Sequence, residues 1–141
     1  MTLYTKQPSA KDGRMNSGEP DTNFGSEIRF LTHSPCSPTS GQRSILEFDI
    51  SDLPAGGVIS TAKLKLYYHW YYAPLGDPVG RHIWAYKLTR TDWVESEFTW
   101  NIYKTGSNWT ITGGDFVTIN PDGDFSDVPP GYGWMEWDIK A

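Results

Sequence analysis

Residues 43–72, RSILEFDISDLPAGGVISTAKLKLYYHWYY, constrain the fold more than any other stretch, because they hold two period-two runs whose faces can be assigned. In the first run Leu46, Phe48 and Ile50 alternate with Glu47 and Asp49; in the second Leu64 and Leu66 alternate with Lys63 and Lys65. Period-two alternation sends successive side chains to opposite faces of a strand, so each run reads as a strand with one buried and one solvated face. Between the runs, Pro54, Gly56 and Gly57 supply turn chemistry. The expectation is two strands of an antiparallel sheet joined by a turn, with Leu46, Phe48, Ile50, Leu64 and Leu66 inside.

The rest of the chain agrees with an all-β reading. Fifteen per cent aromatic residues, with 14 Gly and 10 Pro, favour many short strands and turns over helices. A chain of 141 residues suits one domain spanning 1–141. The net charge is −5, with Lys and Arg scattered, so no basic stripe exists to neutralise phosphates and nucleic acid is excluded as a partner. No apolar run has the length needed to span a bilayer, so membrane insertion is not expected. The single cysteine, Cys36, excludes an internal disulfide framework and reads as a bystander thiol in a Ser/Pro-rich loop.

LEFDISDLPAGGVISTAKLKLY resembles the core signature of DNRLRE domains, also called the disaggregatase-related family, which is carbohydrate-binding-module-like. Asp12 and the PDTNFGS of residues 20–26 resemble the opening strand and Asn-aromatic-Gly turn of that family. WVESEFTWN at 93–101 resembles its Trp-x-Glu…Thr-Trp-Asn segment, and Gly113-Gly114-Asp115 resembles a Gly-Gly-Asp that often follows. The resemblance covers most of residues 12–138. It implies a jelly-roll-like antiparallel β-sandwich used as a non-catalytic, often glycan-binding module.

Modules of that kind work outside cells, yet MTLYTKQP at the N-terminus lacks the apolar run of a signal peptide. A virion protein, made in the cytoplasm and released by lysis, reconciles the two, and so does a cloned fragment with an added Met1. The expected location is a virion or the extracellular cell surface. The alternating residues 133–139 end where the resembling domains continue into closing strands, so the sandwich is expected to lack its final strands within this chain. Its edges would be covered by further chain or by other copies or subunits of a larger assembly.

The coarse map places strands at 3–7, 27–32, 82–89, 109–112, 115–119 and 133–139, besides the central two. Residues 9–26 read as a loop. Residues 92–99 read as a turn or a single helical turn with Asp92 as a possible cap. Gly25, Gly56 and Gly57 read as turn positions where φ is positive.

The candidate functional surface is the aromatic run 67–72. If the Leu64/Leu66 register continues, Tyr68, Trp70 and Tyr72 face the core while Tyr67, His69 and Tyr71 face solvent. Exposed rings suit sugars, whose C–H faces stack on aromatic rings while polar rims take hydrogen bonds. Asp77, in the Pro/Gly-rich loop 72–80, is the polar candidate beside them. The alternative is that these rings close the end of the sandwich. Trp84, Trp93, Trp100 and Trp109 read as core or loop anchors, and Glu95 and Thr99 as partners for backbone groups in an irregular turn.

Asp122, Asp124 and Asp127 offer three carboxylates in six positions, a set that suits a structural Ca²⁺, although Asp-Gly pairs are also ordinary turn chemistry. No other cofactor is indicated. No nucleophile elbow, zinc-binding His pair or phosphate-cradling loop is present, and His33, His69 and His82 have no sequence-adjacent ligand partner. The sequence therefore points to a non-enzymatic structural and recognition β-sandwich of a virion or cell surface, with polysaccharide as a possible ligand. The alternative is a carbohydrate-binding module of a larger secreted polysaccharide-degrading enzyme.

Overall fold

A computed structural model describes residues 2–33, 41–117 and 123–140. Strands β1 (Lys11–Asn16), β2 (Gln42–Glu47), β3 (Lys63–Tyr68), β4 (His82–Tyr86), β5 (Ile102–Lys104), β6 (Ser107–Asn108), β7 (Gly123–Asp127) and β8 (Gly133–Asp138) follow in order. Every pairing between them is antiparallel: β1 with β2, β3 with β8, β4 with β7 and β5 with β6. The chain is thus all-β and antiparallel, in keeping with a β-sandwich. A 3-10 turn, Ala73–Leu75, follows β3. Among the described residues, no helix is long and apolar enough to cross a membrane.

The chain divides into two compact units: Met1–Gly57 with Leu88–Asp115, and Val58–Lys87 with Phe116–Ala141. In the first, Met15, Trp93, Phe98 and Trp109 form a buried cluster against which Ile45, Leu88, Trp100 and Tyr103 pack. The two buried Trp N–H groups of this cluster differ: Trp109 Nε1 donates to the Thr99 carbonyl at 2.9 Å, whereas Trp93 Nε1 has no hydrogen-bond partner among the described residues. The segment after Trp93 is held to the 20–26 turn by side chains. Asn23 Nδ2 donates to the carbonyls of Glu95 (2.9 Å) and Phe98 (2.7 Å), and Glu95 Oε1 accepts from the Asp12 amide at 2.9 Å. Thr99 Oγ1 accepts from the amides of Asn101 and Ile102. Glu95 and Thr99 therefore serve the backbone, as their place in an irregular turn suggests.

In the second unit, Val128, Met135 and Trp137 are buried, with Leu64, Leu66, Tyr68, Ile83 and Ala85 packed against them. All but Val128, which directly follows β7, come from the inner faces of β3, β4 and β8, strands of the β3–β8 and β4–β7 ribbons. Trp137 Nε1 donates to the Ile83 carbonyl at 2.7 Å and ties the ribbons together. Along β3 exposure alternates from Lys63 to Tyr68, so Leu64 and Leu66 face inward as the period-two pattern requires.

Several local expectations are corrected. The two runs in 43–72 are not hairpin partners: β2 pairs with β1, and β3 pairs with β8. β2 ends at Glu47, leaving Phe48 only half-buried and Ile50 55% exposed. Residues 3–7 and 27–32 form no strand, although His33 bridges Gln42, and β1 lies inside the stretch read as a loop. β1 escapes a composition-based reading because Gly13, which depresses strand propensity, is required there: a Cβ would stand 2.7 Å from Phe98 Cζ. No strand covers 109–112, and of 115–119 only Phe116 makes a bridge, residues 118–119 lying outside the described residues. Asp92 does not cap a helix; it pairs with Arg90 and Lys104.

Candidate functional site

The outer face of the β3–β8 ribbon carries Lys63, Lys65 and Tyr67 opposite Asp138, Glu136 and Trp134. The Tyr67 and Trp134 rings meet edge to face at 5.4 Å, and both are exposed. Beside them Lys63 donates to Glu136, and Lys65 Nζ lies 2.8 Å from its other oxygen. The hydrogen bond from Lys63, then that from Lys65, lowers the Glu136 carboxyl from 4.5 to about 2. A depressed folded pKa contributes stability above the unfolded value that is lost as pH falls through the folded one. Replacing Glu136 by Gln is therefore expected to flatten the decline in stability between about pH 4.5 and about pH 2, read from urea midpoints. The change is small because the pair is exposed, and an unaltered acid profile in the variant would refute the pairing.

Tyr68 belongs to the inner face and marks one side of an open cleft of about 220 Å³, lined by Tyr68, Tyr71, Asp77, Val79, Tyr132 and the 129–131 turn. Tyr68 and Tyr132 meet edge to face at 5.6 Å. Burial, then the neighbouring Tyr132, raises the Tyr68 hydroxyl above the ordinary phenol value, keeping it a neutral donor. Asp77 is fixed by its own turn, Oδ1 accepting from the Val79 amide at 2.9 Å. The turn carrying Val79 is anchored in turn, the Gly80 amide donating to the Val128 carbonyl at 2.9 Å.

The structure therefore splits the set read from sequence. Tyr71 and Asp77 meet in the cleft, whereas Tyr67 lies on the opposite face of β3 against Trp134, and His69, exposed past the end of β3, does not line the cleft. Trp70 and Tyr72, expected in the core, are exposed and near each other at 6.2 Å. The alternation fails there because β3 ends at Tyr68 and the chain turns into Ala73–Leu75. Tyr68 and Tyr132 were missed as site residues. Pro129-Pro130-Gly131 just before Tyr132 was the available signal of a ring presented on a turn.

Trp84 is a further correction. It is no core anchor but 45% exposed on the outer face of β4–β7, together with Tyr86 and Phe125.

Of the candidate calcium ligands, Asp122 lies outside the described residues. Asp124 and Asp127 fall on opposite faces of β7: Asp124 Oδ2 accepts from the Asp138 amide at 2.6 Å, and Asp127 pairs with His82. Among the described residues no three His, Cys, Asp or Glu side chains gather to hold a metal ion.

A family model described as carbohydrate-binding module family 96 matches residues 3–112. No curated protein matches the chain, and no solved structure does. The matched span supplies Tyr68, Tyr71, Asp77 and Val79 to the cleft; Tyr132 and its preceding turn lie beyond it.

Proposed function

The chain belongs to carbohydrate-binding module family 96, and on that premise we propose that it binds glycans without turning them over, through the cleft beside Tyr71 and Asp77. The observation that carries the reading is the convergence of three tyrosine rings, Tyr68, Tyr71 and Tyr132, with one carboxylate around a single concavity. Rings supply apolar faces for sugar C–H groups, while the phenols and Asp77 supply hydrogen bonds that fix orientation. The cleft is smaller than the roughly 300–1,000 Å³ of pockets for drug-sized ligands, which suits one or two sugar residues.

Titration calorimetry against a panel of soluble polysaccharides tests it. Tyr71→Ala and Asp77→Asn are each expected to weaken binding by about 1 kcal/mol or more, about 5-fold. Glycan affinity indifferent to both substitutions would remove the cleft from the mechanism. Cleavage of a polysaccharide that is abolished by one carboxylate substitution would overturn the non-enzymatic part.

A structural role in a virion or cell-surface assembly is the companion reading. What supports it is that each described strand is hydrogen-bonded to a single partner strand, leaving edges of the kind that other copies or subunits cover. The intact mass and oligomeric state of the native protein separate this from a module of a longer secreted enzyme.

A further inference from the structure

Strand β4, His82-Ile83-Trp84-Ala85-Tyr86, reverses the usual distribution of a half-buried strand. The aliphatic Ile83 and small Ala85 face the core, while His82, Trp84 and Tyr86 face outward. Outward positions on antiparallel ribbons are ordinarily polar. Across the ribbon Phe125 opposes Trp84 and Asp127 opposes His82. The rings form a continuous row: His82 to Phe125 at 4.3 Å, Phe125 to Trp84 at 5.1 Å, Trp84 to Tyr86 at 5.7 Å and Tyr86 to Phe116 at 5.6 Å. Trp84 and Tyr86 lie within 9° of parallel. Trp84, Tyr86 and Phe125 each keep roughly two fifths of their surface in water. Rings exposed side by side, rather than scattered singly, are the pattern of an interaction face.

From this row we infer a second carbohydrate-binding surface, distinct from the cleft, that takes an uncharged polysaccharide chain laid along β4 and β7. Charge selects the class of occupant. Among the described residues the titratable side chains on the face are His82, Tyr86 and Asp127, and His82 is paired with Asp127 on the face itself. Arg81 and Lys87 lie just outside the strand, one at each end. Among the described residues the face therefore offers rings, a phenol and one His82–Asp127 pair, with no Lys or Arg on it to hold a polyuronate and a single carboxylate, already engaged by His82, to meet an amino-sugar polymer. Neutral pyranose units present C–H faces to the rings and hydroxyls to Tyr86, His82 and Asp127. From His82 to Tyr86 the strand runs about 14 Å at ~3.4 Å per residue, room for several sugar residues. Affinity should accordingly rise with chain length, unlike binding in the compact cleft.

The test uses the full chain, a series of neutral β-glucan oligosaccharides of increasing length, and insoluble cellulose. Trp84→Ala and Tyr86→Ala are each expected to reduce cellulose retention and long-oligosaccharide affinity about 5-fold or more and to abolish the gain with length. Tyr71→Ala should leave that length-dependent gain intact, so failure of the cleft and failure of this face are told apart. Phe125→Gln, on the other strand, is the second variant, and melting temperatures confirm that all are folded. Three results overturn the inference. One is wild-type length dependence in both Trp84→Ala and Phe125→Gln. Another is tighter binding of polygalacturonate or chitosan than of neutral glucan, lost on the same substitutions. The third is a change from oligomer to monomer in Trp84→Ala with glycan binding unaltered, which would make the face a contact between copies.

Discussion

Phe98→Ala is expected to remove about 3–5 kcal/mol of stability, the range for deleting a fully buried Phe. The Phe98 side chain is completely buried in the first unit. Its ring meets Trp93 edge to face at 5.2 Å and 82°, an arrangement that adds about 0.5–1.5 kcal/mol beyond area burial. The ring also lies against β1 at Gly13, where no Cβ intervenes. The neighbours are large and rigid, Trp93 and Trp109 among them, so the space left by the ring collapses poorly and the cavity term is retained. Urea unfolding should show a lower midpoint at an unchanged slope. Phe48→Ala, at a half-buried residue beyond the end of β2, should cost less than half as much. The reverse order would mean that the core had been misplaced.

That contrast between Phe98 and Phe48 illustrates what the sequence makes legible. Alternation reads correctly where a strand has one wet and one dry face for its whole length. β3 and β8 meet that condition, and Leu64 and Leu66 are inside while Lys63 and Lys65 are outside. In 44–50 the same alternation outruns the strand, because the turn formers take over the backbone after Glu47. Periodicity reports a preference of side chains, whereas the end of a strand is set by where its partner stops pairing, and β1 begins at Lys11 opposite Glu47. Partner choice is less legible still. Proximity in sequence suggests that β2 and β3 pair, but the register that buries Leu64 and Leu66 is supplied by Met135 and Trp137, about 70 residues away.

The candidate site was legible in kind more than in position. The run 67–72 does present exposed rings, and Tyr71 with Asp77 reaches one cleft. Tyr68 and Tyr132 join them because an inward residue at the end of a strand sits at the lip of the ribbon, which alternation treats as core. On β4 Trp84 reads as an anchor because large rings usually pack inside. The neighbouring Ile83 and Ala85, which fill the inner face instead, were the signal that it points outward.

Gly25→Ala should be among the most damaging single substitutions in the first unit, for a reason unrelated to turn type. Gly25 is absent from the positive-φ residues, so left-handed backbone is not what requires glycine there. A Cβ at this position would stand 1.9 Å from the Glu95 carbonyl oxygen and 2.8 Å from its carbon. Both are backbone atoms, and the same carbonyl is held by Asn23 Nδ2 at 2.9 Å. Relief requires the 20–26 turn to part from the 93–98 segment, at a cost of about 3 kcal/mol, the upper part of the usual overpacking range. If the Asn23 bond also breaks, about 1 kcal/mol is added. Gly56→Ala provides the comparison: its φ is +75° with nothing within 4 Å of the added Cβ, so only the left-handed penalty of about 1–2 kcal/mol applies. Gly57 is not among the positive-φ residues, and a Cβ there would meet Pro54 O at 3.1 Å, a contact that a small shift of this exposed turn relieves. Urea midpoints of the three alanine variants should therefore fall furthest for Gly25. A neutral Gly25→Ala would mean that the 20–26 turn does not sit against Glu95, and the latch formed by Asn23 would fall with it.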